Sequence, residues 1–298
     1  MTRIQSSRSD KIFHTIITLL LILIFVIVAF PLMYTVAASF SSSRAVVSGQ
    51  VFLWPVEPTL LGYQRVFENP NIMNGYRNSI IYTTSGTLVS LFLTLTCAYA
   101  LSRADFSLRK IIMGIFIFTM MFSGGLIPLY LLVSGLGMLN TRLAMILPSA
   151  LSVFNLIVTR TFFENTIPQE LLDASRVDGC SDIRFFILIA LPLSGAIIAV
   201  MGLFYAVGIW NSFFNALIFL HSSRLFPLQI ILRQILVQNR VDVTMIAPSH
   251  AEDIVARQSL FELLKYSLIV VASVPMMVLY PFVQKYFIKG MMIGAIKG

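Results

Sequence analysis

Charge is what this chain has least of. Asp, Glu, Lys and Arg make up 11% of its 298 residues, against about 25% in an ordinary soluble domain. A soluble chain of this length needs a charged shell, and 21 basic with 13 acidic residues do not build one. The shortage excludes a soluble enzyme and a disordered chain. It also turns the net charge of +8 away from nucleic acid and toward a membrane surface. Cysteine is equally scarce. Cys97 lies in an apolar run and Cys180 in a polar loop, with no framework spacing and no Cys-His cluster, so the two read as unpaired thiols. There is no aspartate-rich metal site, no Ser-His-Asp arrangement, no phosphate-binding glycine loop and no internal repeat. What remains is apolar: 57% of the residues, with a mean hydropathy of +0.87.

A helix needs about 20 apolar residues to cross the hydrocarbon core. Stretches free of Asp, Glu, Lys and Arg run over 12–43, 78–102, 111–141, 143–159, 185–223 and 266–284. They predict an all-α membrane protein with six transmembrane helices, near 12–39, 79–101, 111–138, 143–159, 185–206 and 266–284. The run after Lys11 is too long for a cleaved signal peptide and closes on no clear small-x-small site. In the third span, Gly124-Gly125-Leu126-Ile127-Pro128 should kink or interrupt the helix. The fifth run is too long for one span, and Gly208, Trp210 and Asn211 supply its break.

The basic residues orient the helices. Arg3, Arg8, Lys11, Arg103, Arg109, Lys110, Arg160, Arg176, Arg184, Lys285, Lys289 and Lys297 fall on the side that carries both termini, which is then the cytoplasmic side. This divides the chain into an N-terminus 1–11, a six-span domain 12–284 containing a cytoplasmic loop 160–184, and a tail 285–298. No acidic or basic residue lies inside a span, and His14 sits at the edge of the first. Ion-coupled carriers place ionisable groups at depth. A transporter without them, and without an ATP site, draws its energy from another chain or is a channel.

The informative stretch is PQELLDASRVDGCSDIRFFILIALP, from Pro168 to Pro192. Thr166 as cap and Pro168 in the first turn predict a short helix over Gln169–Val177. Gly179 stops it, and Ser181-Asp182 begins a second helix that runs into the fifth span. The loop is locally acidic, with Glu164, Glu170, Asp173, Asp178 and Asp182 against three arginines, and it suits docking on a partner. Asp173-Ala174-Ser175, three residues, Gly179, nine residues, then Ile189-Ala190-Leu191-Pro192 resembles the EAA loop of ABC importer permeases. The family pattern is Glu-Ala-Ala, three residues, Gly, nine residues, Ile-x-Leu-Pro. Asp173 replaces its glutamate and Ser175 its second alanine. Phe122 to Pro128, Trp210-Asn211-Ser212-Phe213-Phe214 and the C-terminal Gln284 to Gly290 are similar to the carbohydrate branch of that family, of which the maltose-type permease is the well-known relative.

The resemblance implies a type I importer permease fold. It implies that Glu170, Asp173, Ala174, Ser175, Asp178, Gly179, Leu191 and Pro192 belong to coupling helices that dock on an ATPase. It implies a second permease subunit, a dimer of ATP-binding subunits, an extracytoplasmic solute-binding protein, a bacterial inner-membrane location with lipid around the spans, and a sugar as cargo. Relatives in that branch import alginate or rhamnogalacturonan fragments. No cofactor is expected on this chain, ATP and Mg2+ belonging to the ATPase subunits, and no nucleic acid. Along the fifth span, Gly195, Ala199, Gly202 and Ala206 form a small-residue stripe, which either lines the pathway or packs within the subunit. Tyr205, Trp210, Asn211 and Phe213, beside Phe204 and Phe214, either stack on and hydrogen-bond to a sugar or form an interfacial aromatic belt. The rivals to a sugar importer subunit are a stand-alone channel or secondary carrier, and an ABC permease for another solute.

Overall fold

The computed structural model describes residues 8–238, 261–262, 264–281 and 284, and among these every regular element is helical. The tail at 285–298 and most of the long loop expected after Arg224 lie outside the described residues. The chain divides into two compact units, 1–69 with 232–272 and 70–231 with 273–298.

In the first unit, α1 (Arg8–Ser39) is a long apolar helix, and none of its most hydrophobic stretch is buried within the chain. Among the described residues, only its last turns pack. Ala37 and Ala38 join Ala45, Val46 and Val51, with Tyr34 edge-on to Tyr266. The Ser39 hydroxyl lies 2.8 Å from Tyr63 Oη. Two short helices follow, α2 (Ser43–Val47) and α3 (Leu61–Glu68). Ser42 starts α2 by accepting the Ala45 amide at 3.2 Å.

The second unit is built around α4 (Pro70–Ser102). Its buried positions include Asn78, Tyr82, Gly86, Ser90, Thr94, Ala98 and Leu101, a spacing that keeps one face inward. Polar groups near its start tie down a distant segment. Asn78 Nδ2 donates to Arg224 O at 2.8 Å, Tyr82 Oη to Leu225 O at 2.8 Å, and the Ser79 hydroxyl accepts the Leu228 amide at 2.9 Å. The remaining helices are α5 (Arg109–Met121), α6 (Leu126–Gly135), α7 (Leu143–Ile146), α8 (Val153–Thr166), α9 (Gln169–Val177), α10 (Asp182–Phe185), α11 (Leu191–Leu193), α12 (Gly195–Trp210), α13 (Phe213–Phe219) and α14 (Leu228–Gln238). A last helix, α15, covers Leu264–Pro281. The main packing partners of α4 are α12 and α8.

Among the described residues, three helices are long and apolar enough to cross a membrane, or up to five if each sharply bent pair counts as one span. The third expected span is interrupted at the glycine pair: α5 and α6 meet at 115°, with Gly125 at φ +84. The expected fourth span, 143–159, is not one helix. Pro148 cannot donate a backbone hydrogen bond, α7 stops at Ile146, and α8 starts afresh on its Ser152 cap and runs past Thr159 to Thr166. The fifth span has a bend that its composition did not announce. Pro192 removes a backbone donor, the preceding turn opens to a π-helix over Phe186–Ala190, and the axis turns by 81° at Ser194. Its far end is close to expectation, since α12 stops at Trp210 and α13 starts at Phe213.

Candidate functional site

The end of α4 gathers the loops that the sequence singles out. α9 has the predicted bounds, but Thr166 is not its cap. Thr166 closes α8, and Pro168 occupies the cap position without a side-chain bond. At the other end, the Gly179 amide donates to Arg176 O at 3.0 Å and the Cys180 amide to Ser175 O at 2.9 Å. This is a Schellman closure, and Gly179 provides its left-handed residue at φ +74. Ser181 then caps α10 through the Arg184 amide at 3.4 Å.

Burial divides α9 into two faces. Leu172 and Ser175 are buried, and Leu172 packs with Phe185 and Ala190 beside Tyr99, Ile167 and Cys180. Glu170, Asp173, Ala174, Asp178 and Gly179 are exposed. So are two apolar side chains, Val177 at 88% and Ile183 at 74%. Leu191 is half-buried and Pro192 exposed, at the bend into the fifth span. Both cysteines are free thiols.

An ionic ring underlies this element. Arg103 grips Asp105 through Nε at 3.1 Å and Nη2 at 2.9 Å. Arg176 Nη2 reaches the same carboxylate at 2.6 Å and Asp182 Oδ1 at 3.3 Å. Hydrogen bonds from Arg103 and then Arg176 hold the Asp105 carboxyl far below the usual carboxylate range. Arg103 also donates to Tyr99 Oη at 3.1 Å. Arg109 donates to Arg103 O at 3.2 Å and Arg160 to Leu101 O at 3.0 Å, so cations close the carbonyl end of α4. In the sequence these arginines are topological signals only and the ring is not visible, because its contacts join residues such as Asp105 and Arg176, 71 positions apart.

The four aromatic and polar candidates of the fifth span do not share one surface. Tyr205 is buried, its hydroxyl 2.6 Å from Thr94 Oγ1 and accepting the Ser152 amide at 3.2 Å. Trp210 is buried edge-on to Tyr76. Asn211 and Phe213 are exposed, with Asn211 Nδ2 donating to Val207 O at 2.9 Å. Three of the four small residues, Ala199, Gly202 and Ala206, line a crevice of about 340 Å³ with Thr83, Thr84, Thr87, Leu88, Leu203 and Leu279. Thr83 Oγ1, Thr87 Oγ1 and Ser90 Oγ are buried on α4 without a hydrogen-bond partner among the described residues. Their spacing of four and three along an apolar run is the signal that marks this column in the sequence.

Comparison with known proteins agrees on one kind of molecule. The family model described as binding-protein-dependent transport system inner membrane component matches residues 86–293. Protein LplC of Bacillus subtilis is 40% identical, over 99% of this chain and 98% of its own length. The polygalacturonan/rhamnogalacturonan transport system permease protein YtcP of the same organism is 38% identical, over 97% and 99%. Among solved structures, a crystal structure of a bacterial ABC transporter involved in import of the acidic polysaccharide alginate matches with a TM-score of 0.85 and 32% identity. That match covers 95% of this chain and 99% of the other.

Proposed function

The chain belongs to the family of binding-protein-dependent transport system inner membrane components, and on that premise we propose that it is the membrane permease subunit of an ATP-driven importer of oligosaccharides. It performs no chemistry of its own. It pairs with a second permease, and the pair takes cargo from an extracytoplasmic binding protein and energy from two ATP-binding subunits, which hold the ATP and Mg2+. Transport proceeds by alternating access. Six membrane passages, with both termini in the cytoplasm, bring the loop between α8 and α12 to the ATPase side.

The observation that carries this reading is the two-faced helix α9. Its inner face is anchored by Leu172, while Glu170, Asp173 and Asp178 are exposed with Val177 and Ile183. Exposed apolar side chains among carboxylates, next to a sharp glycine turn, suit a groove on a soluble partner. Force applied to α9 reaches the fifth span through α10 and the π-turn. Leu191 and Pro192 stand where that push meets α12. On the substrate side, Asn211 and Phe213 offer a polar and an aromatic contact at the far end of α12, and buried Tyr205 and Trp210 hold that end in shape. Two relatives carry acidic polysaccharides in their descriptions, so oligouronides are the first cargo to try.

The test is affinity purification of the tagged chain from its native membranes, followed by uptake in proteoliposomes. An ATP-binding subunit should co-purify, and ATP hydrolysis should rise with a binding protein loaded with oligouronide. If the chain purifies without an ATPase, and Gly179→Pro leaves uptake unchanged, the chain is a channel or secondary carrier instead.

A further inference from the structure

Apolar contact fixes only part of α9. Leu172 anchors its middle, but the end that carries the Gly179 turn exposes Val177, Asp178 and Gly179. Beyond the closing backbone bonds and the packing of Cys180, what ties that end to a third segment is charge. The Arg176 guanidinium, in the last turn of α9, touches both Asp105 and Asp182. It thus spans the Gly179 turn and reaches a third segment, the loop between α4 and α5. Both oxygens of Asp105 are engaged. Arg103, its other partner, is well anchored: its side chain is 12% exposed, bonded to Tyr99 Oη, with its charge 5.7 Å from the Tyr99 ring centre.

We infer that Asp105 is a positioning residue for the proposed coupling element, setting the angle of α9 by holding Arg176 against the end of α4. The inference rests on the permease reading above and extends it to a residue outside the coupling loop. Asp105 acts only through Arg176 and Arg103. With one apolar and one ionic anchor, α9 cannot swivel about Leu172, so a displacement of α9 is passed to α4 as well as to the fifth span. Because α4 packs along α12, both helices then move together.

The experiment uses the purified importer complex in lipid nanodiscs, read by amide hydrogen exchange, and in proteoliposomes, read as substrate transported per ATP hydrolysed. Asp105→Asn and Arg176→Gln should each speed exchange over residues 176–182 by roughly 1.5-fold to fivefold, the range of a partly exposed ion pair. The double variant should go no further than Arg176→Gln alone, which also loses Asp182, and Asp105→Glu should restore protection. Transport per ATP should fall in the first two and recover with Asp105→Glu, while exchange along α4 stays slow. Additive effects of the two substitutions, unchanged exchange, or an unchanged transport ratio would each overturn the inference. A wild-type complex that no loaded binding protein stimulates would instead sink the importer reading, and the exchange arm would still decide the role of Asp105.

Discussion

The Gly179 turn offers a clean test of how backbone geometry sustains the proposed coupling element. Its φ of +74 lies in the left-handed region, and a Cβ built there meets nothing within 4 Å. Substitution therefore costs backbone strain alone, without a steric clash to confuse the reading. An alanine in that region costs about 1 kcal/mol, a β-branched residue about 2–3 kcal/mol, and asparagine less than either. A helix of nine residues has no stability of its own to absorb the strain. The two closing hydrogen bonds, Gly179 to Arg176 and Cys180 to Ser175, lengthen or break instead. The series Gly179→Asn, Gly179→Ala and Gly179→Val should then show rising amide exchange over 175–180 and falling binding-protein-stimulated ATP hydrolysis, in that order. A valine variant that behaves like the asparagine variant would refute the reasoning, because it would mean that the turn is not closed through a left-handed residue.

Other consequences are as specific. Thr83→Val and Thr87→Val remove buried hydroxyls that have no partner among the described residues, each of which costs about 1–3 kcal/mol when left unsatisfied. Both variants should keep or raise the thermal midpoint in detergent, and a clear loss would mean that these hydroxyls are in fact bonded. Tyr205→Phe should act in the opposite direction, by about 1–2 kcal/mol, since it strips a partner from buried Thr94 and from the Ser152 amide. A thermal midpoint equal to wild type would contradict that. The Asp105 carboxyl is depressed in the folded chain, so its contribution to stability is complete above the ordinary carboxylate pKa and is lost as pH falls below it. The midpoint difference between wild type and Asp105→Asn should therefore be constant above about pH 5 and shrink below about pH 4. A difference that grows on acidification would show the carboxylate is not the stabilised form.

Legibility followed the range of the physics. The α9 helix, its Gly179 stop and the interruption at Gly124-Gly125 were readable because helix ends and left-handed turns depend on a few adjacent residues. The fourth span was misread for a related reason. The charge-free run 143–159 counted as apolar length, while Pro148 and the Ser152 cap were local punctuation that outweighed it. The bend at Ser194 needed more than Pro192, since many membrane helices absorb a proline when their neighbours satisfy the freed backbone.

By itself the sequence determined that this is a membrane chain, where most of its apolar helices run and which loop bears the turn. Hydropathy and turn chemistry are summed over short windows, so no tertiary contact is needed to read them. Tertiary structure alone decided which side chains work together. It joined Asp105 to Arg176 across 71 positions and Thr94 to Tyr205 across 111. It buried Trp210 while leaving Asn211 exposed, and it set Thr83 and Thr87 of α4 beside the small residues of α12. Those outcomes depend on which helices pack and at what angle, a property of the assembled bundle and of no single segment.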